Sequence, residues 1–201
     1  MLSTVPPSPV APTVSRLFEA AAAAFADKGF HATTTRDIAS RAGLSPAGVY
    51  VHFTSKEDLL FQLSLEGHTA VLDRIEDAVD HAGSPSDALA EVVEVFARWH
   101  AEQYRVARIV QYEFSHLSPE HRREVLDLRR RIDAVVAGVV RDGVSSGEFD
   151  LGDGADPAVT ARAVLSMAID VARWYHPAAS ETPEQIGRTY AALALRLVGQ
   201  R

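Results

Sequence analysis

An all-α fold is predicted from three observations. Apolar residues recur at helical spacing along most of the chain, no clear run of alternating strand pattern interrupts them, and helix starts are spelled the same way five times. Ser45-Pro46, Ser84-Pro85, Ser118-Pro119, Asp156-Pro157 and Thr182-Pro183 each place a capping oxygen before proline. The cap accepts an orphan backbone N–H, and proline at the first helical position has none to leave unpaired. With 47% hydrophobic residues among 201, the chain can bury a substantial core.

Taken in order, residues 1–12 hold four prolines and are expected to form a disordered tail. A first helix near 13–28 stops at Gly29. Thr34 with Asp37 makes a capping box for a second helix, 34–42, which Gly43 ends; Ser45 opens a third at 46–52. Ser55 with Asp58 starts a long helix over 56–81 that stops before Gly83, and Ser84 with Asp87 opens another at 85–101. Helices near 103–116, 119–145 (ending at Gly147), 157–175 and 183–199 complete the chain. Three short helices and a long connecting one divide it into a head, 13–60, and a larger body, 61–201. There is no internal repeat.

Several function classes are excluded. The chain has no cysteine, hence no disulfide framework, zinc finger or thiol nucleophile. The residues before Val14 carry no positive stretch and no 18-residue apolar run follows, so neither a signal peptide nor a membrane partner is expected, and a reducing cytoplasm is the expected location. Neither a cofactor nor a metal is expected. Net charge is −7, but unevenly spread: residues 13–60 carry five basic and five acidic side chains, and the whole excess lies in 61–201. A neutral head on an acidic body suits a site-specific DNA binder better than a general polyanion binder.

Residues 34–53 carry the functional pattern. Two helices crossing steeply at a tight turn need Ala39 small at the crossing, Gly43 to end the first helix, Ile38, Ala42, Leu44 and Val49 inward, and Ser45 to cap the second. Tyr50 and His52 place hydrogen-bonding tips near the end of the second helix, and Lys56 begins the next. All three suit phosphate oxygens beside a groove, together with helix N-termini at Thr34 and Ser55. Either ring alone is equally a half-buried core residue; the set favours DNA.

The residues Phe25 through Thr34, Asp37-Ile38-Ala39, Ala42-Gly43, Tyr50-Val51-His52-Phe53 and Ser55 through Leu60 closely resemble the DNA-binding head of the TetR family over about residues 13–61. The resemblance implies an all-helical homodimer, usually a repressor, whose body binds a small-molecule effector that releases it from its operator. It also implies phosphate contacts from Thr34, Tyr50, His52 and Lys56, and a groove-facing surface of Ser45, Pro46, Ala47, Gly48, Tyr50 and Val51. Ala47 stands where the family usually has glycine, Gly48 where it has a small hydroxyl or alanine, and Val14 where arginine is frequent. Base reading is therefore expected from Ser45, from Arg36 or Thr35, from Tyr50, and from contact with thymine methyl groups.

In the body, Ile186, Tyr190, Leu193 and Leu197 form an apolar stripe beside small Gly187, Ala191 and Ala194, and the preceding helix offers Val164, Met167, Ala168 and Val171. These predict a dimer through a four-helix bundle, in which Met167, Val171, Ile186, Tyr190, Leu193 and Leu197 meet the second copy. Phe96, Trp99, His100, Tyr104, Arg108, Gln111, Tyr112 and His116 mix aromatic and polar groups as a pocket wall does. Arg173 and Trp174 join them through Arg173-Trp174-Tyr175-His176-Pro177 and the following Thr182 through Gly187, a tail similar to that of TetR-type regulators of fatty-acid and sterol breakdown. That similarity implies an acyl-CoA effector, with Arg105, Arg108, Arg129, Arg130 or Arg173 serving its phosphates. Two rivals remain: a helical-bundle metal enzyme, suggested by Glu113-Phe114-Ser115-His116, although no second copy of that spacing occurs, and a head used for protein contact.

Overall fold

The computed structural model describes residues 10–200, so residues 1–9 of the predicted tail lie outside it, while residues 10–12 already belong to the first helix. Nine α-helices and one 3-10 turn are present among the described residues, with no strand: α1 (Val10–Ala32), α2 (Thr35–Ala42), α3 (Pro46–Tyr50), α4 (Lys56–His81), α5 (Pro85–Glu102), α6 (Tyr104–Tyr112), the 3-10 turn Phe114–His116, α7 (Pro119–Ser146), α8 (Pro157–Trp174) and α9 (Pro183–Leu197).

The capping chemistry sets these starts. Each of the five cap-proline pairs forms, with Ser45, Ser84, Ser118, Asp156 and Thr182 accepting from a backbone N–H in the first turn. Thr34 and Asp37 close a full capping box. At Ser55 the box is half made: Ser55 accepts from Asp58 N, but the Asp58 carboxylate accepts from Thr54 instead. Gly43 ends α2 in the left-handed conformation (φ 67°), where a β-carbon would strain the chain. Gly29 (φ 74°) kinks α1 rather than ending it.

One predicted helix breaks early. The segment expected to run over 103–116 leaves the α conformation after Tyr112. The tight turn that follows lets Glu113 accept from Phe30 N (3.2 Å) and buries Leu117 among the side chains of the head. A straight continuation would carry both away from it.

Buried side chains gather into two clusters. One centres on α1–α3, with Phe25, Ile38 and Val49, and takes Ile109 from α6, Leu117 from the end of the 3-10 turn and Val125 from α7. The other fills the space between α4, α5, α7, α8 and α9. Helix α4 serves both: Leu59, Leu60, Phe61 and Leu63 lie in the first cluster, Val71, Leu72, Ile75 and Ala78 in the second. The expected boundary at 60/61 thus falls inside one continuous helix. Helix α9 packs most extensively on α5, where Gly187 lies so close that a β-carbon would stand 2.7 Å from the Glu94 carbonyl oxygen.

Candidate functional site

The outer face of α2 and α3 collects most of the residues expected to meet DNA. Thr34 caps α2, exposed, and its backbone N and Oγ1 both donate to Asp37 (2.8 and 2.6 Å). Lys28 (2.8 Å) holds the same carboxylate, and these contacts keep its pKa well below the usual carboxylate range. Thr35 Oγ1 lies 3.2 Å from the Tyr50 hydroxyl, tying the start of α2 to the end of α3. Ser45, Pro46 and Ala47 are exposed, Gly48 and His52 partly so, and Tyr50 and Val51 are 55% and 78% accessible, unusual values for large apolar bodies. Arg36 is exposed without an ion-pair partner among the described residues, whereas Arg41 is bound to Asp27 (2.5 Å).

Lys56 corrects the expectation of a phosphate contact. Its ammonium turns inward, donating to the carbonyl oxygens of Phe30 (2.6 Å) and Thr33 (2.8 Å), with that of His31 at 3.4 Å, and lies 4.3 Å from the Phe30 ring centre. It closes the frayed end of α1, where orphan carbonyls need donors. Burial pulls its pKa down, against the pull of Glu113.

In the body, a cavity of about 270 Å³ is lined by α4 (Gly67, His68, Val71), α5 (Phe96, Trp99, His100), α6 (Ala107, Val110, Gln111), α7 (Arg129, Ile132, Asp133) and α8 (Leu165, Ile169). Of the predicted pocket residues it brings together Phe96, Trp99, His100 and Gln111. His100 Nδ1 donates to the Phe96 carbonyl (2.8 Å), and His68 Nδ1 to that of Ser64 (2.7 Å). Burial pushes both imidazoles down to about 4, so both are neutral at pH 7. The second ring nitrogen of His68 then accepts from Arg129 Nε (3.1 Å). Sequence reasoning missed His68, whose signal was a polar residue on the small, apolar stripe Ser64, Gly67, Val71.

The other six predicted pocket residues do not line the cavity. His116 stands at the junction of head and body, stacked on Phe30 (4.9 Å) and edge-on to His31 (4.3 Å), with Glu113 3.0 Å away. Tyr104 meets Tyr175 edge-on, Arg108 is exposed, and Tyr112 is 59% accessible. Arg173 is bound by Asp170 (2.6 and 2.8 Å), and Trp174 lies at the surface. Periodicity placed all but His116 on the right helices, but the break after Tyr112 turns His116 to the head, and Arg173, in the last turn of α8, is turned to Asp170 on the outside. Glu113 and His116, the pair behind the metal-enzyme rival, serve the head–body junction, and no group of three or more His, Asp or Glu among the described residues is placed to hold a metal.

The family model of "Bacterial regulatory proteins, tetR family" matches residues 17–63, and that of "Tetracyclin repressor-like, C-terminal domain" matches residues 82–198. The chain belongs to the TetR family. The transcriptional repressor KstR2 of Mycolicibacterium smegmatis is 30% identical over 94% of this chain and 92% of its own. A tetR-family regulatory protein from Rhodococcus RHA1 superposes with a TM-score of 0.85 at 39% identity, covering 94% of this chain and 98% of its own. FadR from Bacillus subtilis, solved with stearoyl-CoA, has the same fold (TM-score 0.72, 20% identity, 92% and 98% covered). This TetR-family chain is accordingly a DNA-binding transcription regulator and not an enzyme.

For this regulator the predicted dimer stripe divides in two. Val171 on α8 and Ile186 on α9 are buried within the protomer and belong to its core, because α8 and α9 both pack on α5; Gly187, Ala191 and Ala194 face the same way as Ile186. Leu193 and Leu197 stay 40% and 42% accessible, and Met167 and Tyr190 are half-buried. Among the described residues, no helix is long and apolar enough to cross a membrane.

Proposed function

We propose that two copies of this chain, joined through the outer faces of α8 and α9 at Met167, Tyr190, Leu193 and Leu197, bind one operator in the cytoplasm and repress transcription until an effector enters the body cavity. In this reading residues 13–60 are the reading head and 61–201 the sensing and dimerising body. The outer face of the Ser45–Val51 segment, with Val49 turned into the core, enters the major groove, Tyr50, Thr35 and Arg36 read base edges, and Thr34 and His52 hold phosphates. The free N–H groups of the first turn of α2 add to the phosphate grip.

The observation that carries this reading is α4. One unbroken helix starts in the head core at Leu59 and Leu60 and forms the cavity wall at Gly67, His68 and Val71. Filling the cavity displaces that wall, and the head turns with it. Two recognition helices must stand about 34 Å apart to meet successive turns of one DNA face, so a small tilt defeats both. An effector preferring the tilted state by about 3 kcal/mol lowers operator affinity over a hundredfold.

The effector class that fits is an acyl-CoA thioester. The cavity is mostly apolar and sits near the small end of ligand pockets, with room for an acyl group but not for the nucleotide. Exposed Arg105 and Arg108 on α6 are available to its phosphates. The related FadR, solved with stearoyl-CoA, supports the same class. In a mobility-shift titration, genomic fragments enriched on the immobilised protein should be retarded in a salt-dependent manner and released by octanoyl-CoA. Absence of salt-dependent DNA binding would overturn the regulator reading; retention under both octanoyl-CoA and suberyl-CoA would overturn the effector class.

A further inference from the structure

Three consecutive arginines on α7 meet different fates. Arg130 and Arg131 are exposed and paired, with Asp127 (2.7 Å) and Glu76 (3.0 Å). Arg129 points inward and lines the cavity. Its Nε donates to His68 Nε2 (3.1 Å), its Nη2 donates to the Val110 carbonyl (3.1 Å), and its guanidinium lies 4.3 Å from the Phe114 ring centre. Every one of these partners is neutral, and none of the hydrogen bonds among the described residues engages Nη1. Asp133, one turn along α7 and exposed, acts on Arg129 through space without an ion pair.

A partly buried guanidinium without a counter-ion is an unbalanced charge, and burying one is unfavourable until an anion joins it. Asp133, the one carboxylate of the lining, is exposed and makes no ion pair with Arg129, so it offsets only part of that charge. His68 is held in the tautomer that accepts from Arg129, so it orients the guanidinium without neutralising it. The rest of the lining is mostly hydrocarbon, with Val71, Phe96, Val110, Ile132 and Leu165, and besides Asp133 its polar members are the neutral His100 and Gln111.

Resting on the reading of this cavity as the effector site, we infer that the ligand is an apolar chain that carries its own carboxylate into the cavity, where Arg129 pairs with it and His68 sets the guanidinium's angle. Such a ligand is either a free carboxylic acid or the half-thioester of a dicarboxylic acid with its CoA outside. An unsubstituted acyl thioester presents only a carbonyl oxygen and leaves the charge unbalanced.

Calorimetric titration of the full-length protein with four probes tests this: octanoate, methyl octanoate, octanoyl-CoA and suberyl-CoA. Octanoate should bind about tenfold or more tighter than its ester, and suberyl-CoA tighter than octanoyl-CoA by a similar factor, as expected for a charge-assisted bond in place of a neutral one. Arg129→Met should erase both differences and Arg129→Lys should keep part of them; the wild-type probe pairs stand alone if either variant fails to fold. Equal binding within both pairs overturns the inference while leaving the acyl-CoA reading in place. Octanoate binding without either thioester supports the inference and removes the thioester. No binding by any probe overturns both.

Discussion

Head and body use polar groups in opposite ways. Among the described residues of the head outside α4, Thr33 is the one buried polar side chain, its Oγ1 reaching the carbonyls of Ala24 and Gly29 (3.0 and 2.8 Å), and the groups proposed to meet DNA stand outside: Thr34, Arg36, Ser45, Tyr50. In the body, His68, His100, Gln111 and Arg129 are turned inward around a cavity, and the outer surface carries the acidic excess. The head works by its surface and can be rigid; the body works by its interior and must leave space unfilled. The proposed release of DNA on effector binding calls for both designs, joined by an element belonging to each core.

The contrast predicts a large effect of acid on the body. His68 and His100 stay neutral in the fold down to about pH 4, whereas in the unfolded chain they take up protons near pH 6.5. Stability is therefore flat above pH 6.5 and falls as pH drops from 6.5 to 4, by roughly 3 kcal/mol for each histidine. Thermal melts between pH 7.5 and 4.5 should show this slope, and a His68→Gln/His100→Gln variant should flatten it. A slope unchanged in that variant would break the assignment of buried imidazoles to the body.

Next comes the surface proposed to join two protomers. Leu193→Glu with Leu197→Glu should leave the helical fold intact, since both side chains are two-fifths exposed, yet yield a monomer by sedimentation. Loss of the second head should weaken operator binding by about a hundredfold or more. A variant that stays dimeric places the interface elsewhere.

Lys56→Met separates positioning from contact. Removing an ammonium that caps backbone carbonyls should lower stability by about 2 kcal/mol. The salt dependence of DNA binding should keep its slope, whereas loss of a phosphate contact would reduce that slope by about one. The smallest effect is expected from Tyr50→Phe, which removes the hydroxyl beside Thr35 from an exposed ring. Melting should not change, and operator affinity should fall by about 1 kcal/mol, read by mobility shift.

The head was the more legible region because its signals are local. Thr34 with Asp37, Gly43, and Ser45 before Pro46 act within one or two turns, and the crossing they specify buries Val49 and leaves Ser45, Pro46, Ala47, Tyr50 and Val51 exposed. The error there was Lys56, whose sequence position says nothing about carbonyls some 25 residues earlier. The body was legible as helices but not as a site. Phe96, Trp99, His100 and Gln111 were found because they share faces of α5 and α6. His116 was misplaced because a 3-10 turn ends α6, and Val171 and Ile186 because an apolar stripe does not say which helix covers it.

The amino-acid order by itself determined the all-helical character, the helix starts and the exposed outer face of α2 and α3, since capping, proline and periodicity act through neighbours along the chain. Only the tertiary structure decided that α9 covers its own α5 before any second copy, that Lys56 serves α1, and that Arg129 alone of three consecutive arginines faces a cavity. Those outcomes depend on which distant surfaces meet, and the free energy of packing is settled between helices rather than within them.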